Sequence, residues 1–135
     1  LRFFNIYGVG QTSEYAGVIT KFLDKIKKNE SLTINGDGTQ IRDFVSIHDV
    51  IYSIDKSVEN HKNGIFNIGS GIGISINELA KLMITLSGKK LDITHSPIKK
   101  GEIKYSQANI SLAKEKIGYS SKINLKDGIK KLIEK

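Results

Sequence analysis

Apolar residues along this chain change spacing repeatedly, from every second residue to every third or fourth and back. Nearly every change falls on a glycine or a helix-capping residue. Residues 1–7 read as a half-buried strand, with Phe4 and Ile6 on one face and Leu1, Phe3 and Asn5 on the other. After the turn Gly8-Val9-Gly10, residues 17–28 predict a helix that turns Val18, Ile19, Phe22, Leu23 and Ile26 inward. Two β-rich runs follow, 32–34 and 41–47, separated by Gly36-Asp37-Gly38, whose backbone angles suit glycine. Ser46-Ile47-His48-Asp49 has the spacing of a capping-box variant and predicts a second helix from about Asp49, with Val50, Ile51, Ile54 and Val58 at helical intervals and Asn63-Gly64 at its end. A short strand at 65–68 leads through Gly69-Ser70-Gly71-Ile72-Gly73 to a full capping box, Ser75 to Glu78, and a helix that Gly88 stops. The remainder predicts a strand at 91–94, a helix at 109–117 closed by Gly118, and a last helix at 124–134 capped by Asn124.

Alternating helices and strands make the class α/β or α+β, with too few strands for a complete doubly wound sheet. The chain has 135 residues, 39% of them hydrophobic and 26% charged, which suits one domain or a piece of a larger one. An opening inside a strand, at Leu1 rather than Met, reads as a piece. The lack of cysteine excludes disulfides, thiolate zinc sites and thiol catalysis. No apolar run approaches the ~20 residues of a membrane span, so no membrane partner is expected and a cytoplasmic location is the default. Against a net charge of +7, only Arg2 and Arg42 of the 21 cations are arginines; the lysines lie on helical stretches and read as solvated faces rather than a nucleic-acid surface.

The sharpest chemical signal is Asn35-Gly36-Asp37-Gly38-Thr39-Gln40-Ile41-Arg42-Asp43-Phe44. A planar guanidinium makes two parallel hydrogen bonds to phosphate, which the point charge of lysine cannot imitate. In a lysine-dominated chain, Arg42 beside a glycine-rich turn is a phosphate-ligand candidate, and an ion pair with Asp43 or Asp37 is the alternative that spacing leaves open.

That block, together with Leu1-Arg2-Phe3-Phe4-Asn5-Ile6-Tyr7-Gly8, Phe66-Asn67-Ile68-Gly69-Ser70-Gly71 and Lys99-Lys100-Gly101-Glu102-Ile103, resembles four ordered landmarks of the NAD-dependent epimerases and dehydratases, the extended short-chain dehydrogenases that modify nucleotide sugars. The similarity is closest to UDP-sugar 4-epimerases, with sugar-nucleotide dehydratases and decarboxylases as near relatives. It implies the carboxy-terminal, substrate-binding portion of an extended Rossmann-type enzyme. Residues 1–135 would form one substrate domain, with 1–8 as the last strand of a cofactor domain that is absent. The ligand implied is a UDP- or dTDP-sugar. NAD would belong to the complete enzyme and not to this chain alone, the cofactor-binding half of the same protein would be the partner, and self-association into homo-oligomers stays open. By position, Phe4 matches the residue whose backbone lies near the nicotinamide, and Asn5 an asparagine that hydrogen-bonds the sugar nucleotide. Gly17 and Val18 match the start of the helix covering the base, Thr33 and Asn35 the strand flanking it, and Arg42 the diphosphate-binding arginine. Ser106 matches a further substrate contact.

Two departures from the family pattern bear on affinity. Its R-x-G-D corner is Lys99-Lys100-Gly101-Glu102 here, so Lys99 can neutralise phosphate without the bidentate geometry, and Glu102 can accept from ribose hydroxyls through a carboxylate one methylene longer. The Pro-Arg expected after Tyr7-Gly8 is Val9-Gly10, which removes a cation. Two look-alikes fail by position or pattern. Tyr52 and Lys56 have the Y-x-x-x-K spacing of a catalytic pair, yet lie on a helix that matches a substrate-domain one. Gly69-Ser70-Gly71-Ile72-Gly73 lacks the third glycine of a dinucleotide fingerprint, because Ile74 stands there, and reads as a tight strand-to-helix turn. His48, His61 and His95 stand too far apart to make a metal site. No catalytic residue is assigned, and the chain alone is expected to be inert; a stand-alone binding module for phosphate-rich ligands or nucleic acid is the reading from another class.

Overall fold

The computed structural model describes residues 1–11, 17–98 and 100–134. It has a mixed α/β architecture. The strands are β1 (Arg2–Phe3), β2 (Asn5–Tyr7), β3 (Leu32–Asn35), β4 (Ile41–Ser46), β5 (Asn67–Ile68), β6 (Gly73–Ser75), β7 (Ile93–Ser96) and β8 (Tyr105–Ser106). The helices are α1 (Val18–Lys27), α2 (Ile47–Asn60), α3 (Ile76–Ser87), α4 (Ser111–Ile117) and α5 (Leu125–Ile133).

Strand β4 is the hub. Its second half runs parallel to β2, with Asn5 opposite Phe44 and Tyr7 opposite Ser46. Its first half lies between antiparallel β6 and parallel β8, so that Arg42 is opposite both Ile74 and Ser106. Strand β1 pairs instead with β5, and β3 with β7 over four residues.

The helices form where amphipathic spacing and caps coincide. On α1, Ile19, Phe22 and Ile26 are buried against Leu32 and Ile34 of β3, Phe44 of β4, Leu79 and Met83 of α3 and Ile129 of α5. A second cluster joins Phe66, Ile68, Ala113, Ile117 and Tyr119, with Tyr52 packed against it. The Ser75–Glu78 capping box is complete, and Gly88 and Gly118 close α3 and α4 in the left-handed conformation.

Several expectations need correction. The opening segment is not one strand: it breaks at Phe4 and changes partner there. The runs flanking Gly36-Asp37-Gly38 are both strands as expected, and they pair elsewhere, β3 with β7 and β4 with β2, β6 and β8. The strand expected at 91–94 lies at Ile93–Ser96. At the start of α2, Ser46 accepts from the His48 amide, but Asp49 does not complete the box. Its carboxylate is buried and accepts from the Ser121 hydroxyl and from the amides of Lys122 and Ile123, at 2.8, 3.0 and 3.1 Å. Three donors in a buried pocket outweigh one cap at a solvated terminus.

Candidate functional site

Arg42 and Phe44 alternate with Asp43 and Val45 along β4, so they share a face. That face, with β2, the start of α1 and the outer face of β3, encloses a cavity of about 820 Å³. Among the residues singled out from sequence, Phe4, Asn5, Gly17, Val18, Thr33, Asn35, Arg42 and Glu102 all line it. Ser106 lies beside Arg42 in the ladder without lining the cavity, and Lys99 lies outside the described residues.

Each side chain is positioned by an identifiable contact. Asn5 donates its Nδ2–H to the carbonyl of Asp43 at 2.9 Å, which fixes the carboxamide on the floor. On β3, Leu32 and Ile34 are buried in the core while Thr33 and Asn35 face outward, as the period of two requires. Asn35 is tied twice: its Oδ1 accepts from the Ser96 hydroxyl and its carbonyl from Gln40, both at 2.9 Å. Gly17 caps α1 without a side chain and leaves that rim of the cavity open. The Gly36-Asp37-Gly38 turn is gripped from inside and outside. Thr39 donates to Asp37 from its amide and its hydroxyl, holding that carboxyl below its ordinary range. The amides of Ile76 and Asn77, at the start of α3, donate to the carbonyls of Gln40 and Gly38. Gly38 has φ +74°, and a Cβ there would come within 2.1 Å of Asn77 Oδ1, so glycine is required twice over.

Arg42 pairs with neither Asp43 nor Asp37, the partners its spacing suggested. Its Nη2 donates to Glu102 Oε1 at 3.2 Å and its Nη1 to the Ile41 carbonyl at 2.8 Å. Both side chains are largely buried, 15% and 18% exposed. Asp43 points the other way and is fully buried. It accepts from the Ser70 amide and hydroxyl, both at 2.7 Å, from the Gly71 amide at 2.9 Å and from the Ala108 amide at 3.1 Å.

Those bonds explain why the glycine-rich segment after β5 is no dinucleotide cradle. The amides of Ser70 and Gly71, which would face a pyrophosphate, already face a carboxylate of the protein itself. Gly73, read from sequence as the end of that turn, begins strand β6, which runs to the capping residue Ser75. The Tyr52–Lys56 spacing is equally unproductive: Lys56 pairs with Glu59 and sits 5.7 Å from the Tyr52 ring centre, while Lys122 lies 3.7 Å from that centre. No group of three metal-ligating side chains occurs among the described residues. No described helix is long and apolar enough to cross a membrane.

Sequence reasoning missed Gln40, Gln11 and Lys21 as lining residues. Gln40 stood inside the block that carried Arg42, and its place two residues before the arginine on a strand was the available signal.

Comparison with known proteins gives the family and the fold. Residues 1–69 match the NAD dependent epimerase/dehydratase family. A relative described as a putative UDP-glucose 4-epimerase, from Methanocaldococcus jannaschii, is 39% identical over 98% of this chain and 43% of its own. The crystal structure of the Thermotoga maritima UDP-glucose 4-epimerase with UDP-glucose superposes with a TM-score of 0.94 at 34% identity, over 98% of this chain and 43% of that one. A UDP-glucuronic acid 4-epimerase mutant from Bacillus cereus, in complex with UDP-4-deoxy-4-fluoro-glucuronic acid and NAD, gives 0.90 at 31% identity over the same shares. The chain thus spans less than half the length of the proteins it matches.

Proposed function

The chain belongs to the NAD dependent epimerase/dehydratase family, and we propose that it is the sugar-nucleotide-binding part of a UDP-sugar 4-epimerase-like enzyme. The observation that carries the reading is the gathering of Asn5, Gly17, Val18, Thr33, Asn35, Arg42 and Glu102 around one cavity from five separate stretches of chain.

In this reading Arg42 binds the diphosphate. Asn5, anchored through Nδ2, offers Oδ1 to a hydroxyl of the sugar nucleotide. Gly17 and Val18 cover the base, Thr33 and Asn35 flank it, and Glu102, Lys99 and Ser106 serve the ribose and phosphate corner. The ligand is a UDP- or dTDP-sugar. NAD supplies the hydride acceptor of the complete enzyme. In the same reading its dinucleotide is held by a cofactor-binding half of the protein, corresponding to the length of the relatives that this chain does not span, and this chain contributes the backbone at Phe4. What these residues do chemically is to hold the nucleotide rigidly, so that binding energy orients the sugar.

The chain by itself is inert in this reading, and epimerase turnover from the pure 135-residue protein would overturn that. The site is tested by calorimetry with UDP, dTDP and a short DNA duplex, wild type against Arg42→Ala. Nucleotide affinity is expected to fall by roughly tenfold or more in the variant, the usual consequence of losing a bidentate charge-assisted contact. Undiminished nucleotide affinity would sink the assignment, and preference for the duplex would favour a nucleic-acid module instead.

A further inference from the structure

Building on the reading of Arg42 as the phosphate ligand, we propose that Glu102 is an internal competitor for that arginine, a carboxylate that a diphosphate must displace in order to bind. A guanidinium recognises phosphate through two parallel N–H donors. Here one N–H of Nη2 goes to Glu102 and one of Nη1 to the Ile41 carbonyl, two of the five guanidinium donors, and both carboxylate and guanidinium line the same cavity. Glu102 is not delivered there by a loose surface rotamer. The Ile41 amide donates to the Lys104 carbonyl at 2.9 Å, and Tyr105 and Ser106 then pair with Ile41 and Arg42, so the segment bearing Glu102 is stitched to the strand bearing Arg42. Gly101, at φ +81°, makes the turn that brings the carboxylate in. The extra methylene of glutamate over aspartate supplies the reach, so residue size at this position sets how firmly the arginine is held in advance.

A counter-ion and a ribose acceptor predict opposite results when the charge is removed. If Glu102 competes with the ligand's phosphates, Glu102→Gln tightens binding of inorganic pyrophosphate. If it serves only the ribose, the same change leaves pyrophosphate unaffected and weakens a nucleoside. Calorimetric titration of the 135-residue protein with pyrophosphate, and separately with uridine, distinguishes them. In Glu102→Gln, pyrophosphate affinity is expected to rise about three- to tenfold, the range that release of a partly buried ion pair supplies. Glu102→Asp, which keeps the charge and shortens the side chain, is expected to lie between the variant and wild type in its affinity for pyrophosphate. A purely structural role would weaken pyrophosphate and uridine together. Unchanged or weaker pyrophosphate binding in both variants overturns the proposal. If Arg42→Ala weakens pyrophosphate while neither Glu102 variant tightens it, only this inference fails. If no protein binds pyrophosphate at all, the assignment of Arg42 fails with it.

Discussion

Replacing Asp43 by asparagine removes one charge and, in shape, almost nothing else. The carboxylate accepts four hydrogen bonds, two at each oxygen: the Ser70 amide and hydroxyl on Oδ1, and the amides of Gly71 and Ala108 on Oδ2. An asparagine can keep its oxygen toward Gly71 and Ala108, which turns its NH2 toward Ser70. The Ser70 hydroxyl can rotate to accept, but the Ser70 amide is left facing another donor. One orphaned N–H costs ~1–3 kcal/mol, and the three surviving bonds lose their charge assistance, so the expected destabilisation is about 3 kcal/mol. The surroundings cannot collapse to absorb it: a Cβ at Gly69 would already stand 2.5 Å from Ala108 Cβ and 2.8 Å from Asp43 Oδ2. In urea, with a slope of ~2 kcal/mol/M, the midpoint followed by circular dichroism should fall by roughly 1.5 M. Amide exchange at Ser70, Gly71 and Ala108 should accelerate beyond the global change. A midpoint shift worth less than ~1 kcal/mol, with those three amides still protected, would refute the claim that this carboxylate holds the turn.

Three further outcomes follow from the packing. Gly128 in α5 leaves room for the Tyr7 hydroxyl, and a Cβ there would sit 2.1 Å from it; Gly128→Ala should therefore cost ~1–3 kcal/mol despite better helix propensity, and Tyr7→Phe should restore most of the loss in thermal melts. Burial, with Asp49 and Asp127 nearby, raises the Tyr7 phenol to about 12, above its ordinary 10, so its stabilising effect is complete below pH 10 and drains away between pH 10 and 12; urea midpoints should fall across that window, and less steeply in Tyr7→Phe. On α2, Ile51, Ile54 and Val58 are 51%, 45% and 63% exposed, so elution volume on size exclusion should drop with increasing protein concentration, and Ile54→Glu should abolish that dependence.

The helices were legible because their causes are local. Ser75 with Glu78, Gly88, Gly118 and Asn124 each act within one turn of the residue they terminate, and amphipathic spacing did the rest. Strand partners were not legible: β3 finds β7 some sixty positions away, and β6 and β8 are too short to show a period of two. The lining of the cavity was legible in several of its residues but not in its contacts. Arg42 stood out as one of two arginines, yet its partner lies on a different segment, so spacing offered Asp37 and Asp43 instead. Asp43 and Asp49 were the larger omission. A carboxylate that shares a strand face with Ile41 and Val45 in a β-rich run has an apolar setting, which is itself a sign that the fold must bring donors to it.

The two sides of β4 divide the work, and the division explains how the cavity wall can rest on so short a strand. On one side Arg42 and Phe44 meet the cavity; on the other Asp43 draws in the Ser70–Gly71 turn and the amide of Ala108. Successive residues of a strand cannot change faces independently, so a slip of one residue would turn Arg42 away from the cavity and Asp43 toward it. The four bonds to Asp43 therefore penalise the same error that would remove the guanidinium from the cavity wall. Asn5 extends the lock sideways, because its side chain grips the carbonyl of Asp43 while its backbone pairs opposite Phe44. Ser106, though outside the cavity lining, adds the third constraint through its pairing with Arg42. Register, rather than any single contact at the cavity wall, keeps the Arg42 guanidinium aimed into the cavity, where the reading proposed above puts the diphosphate.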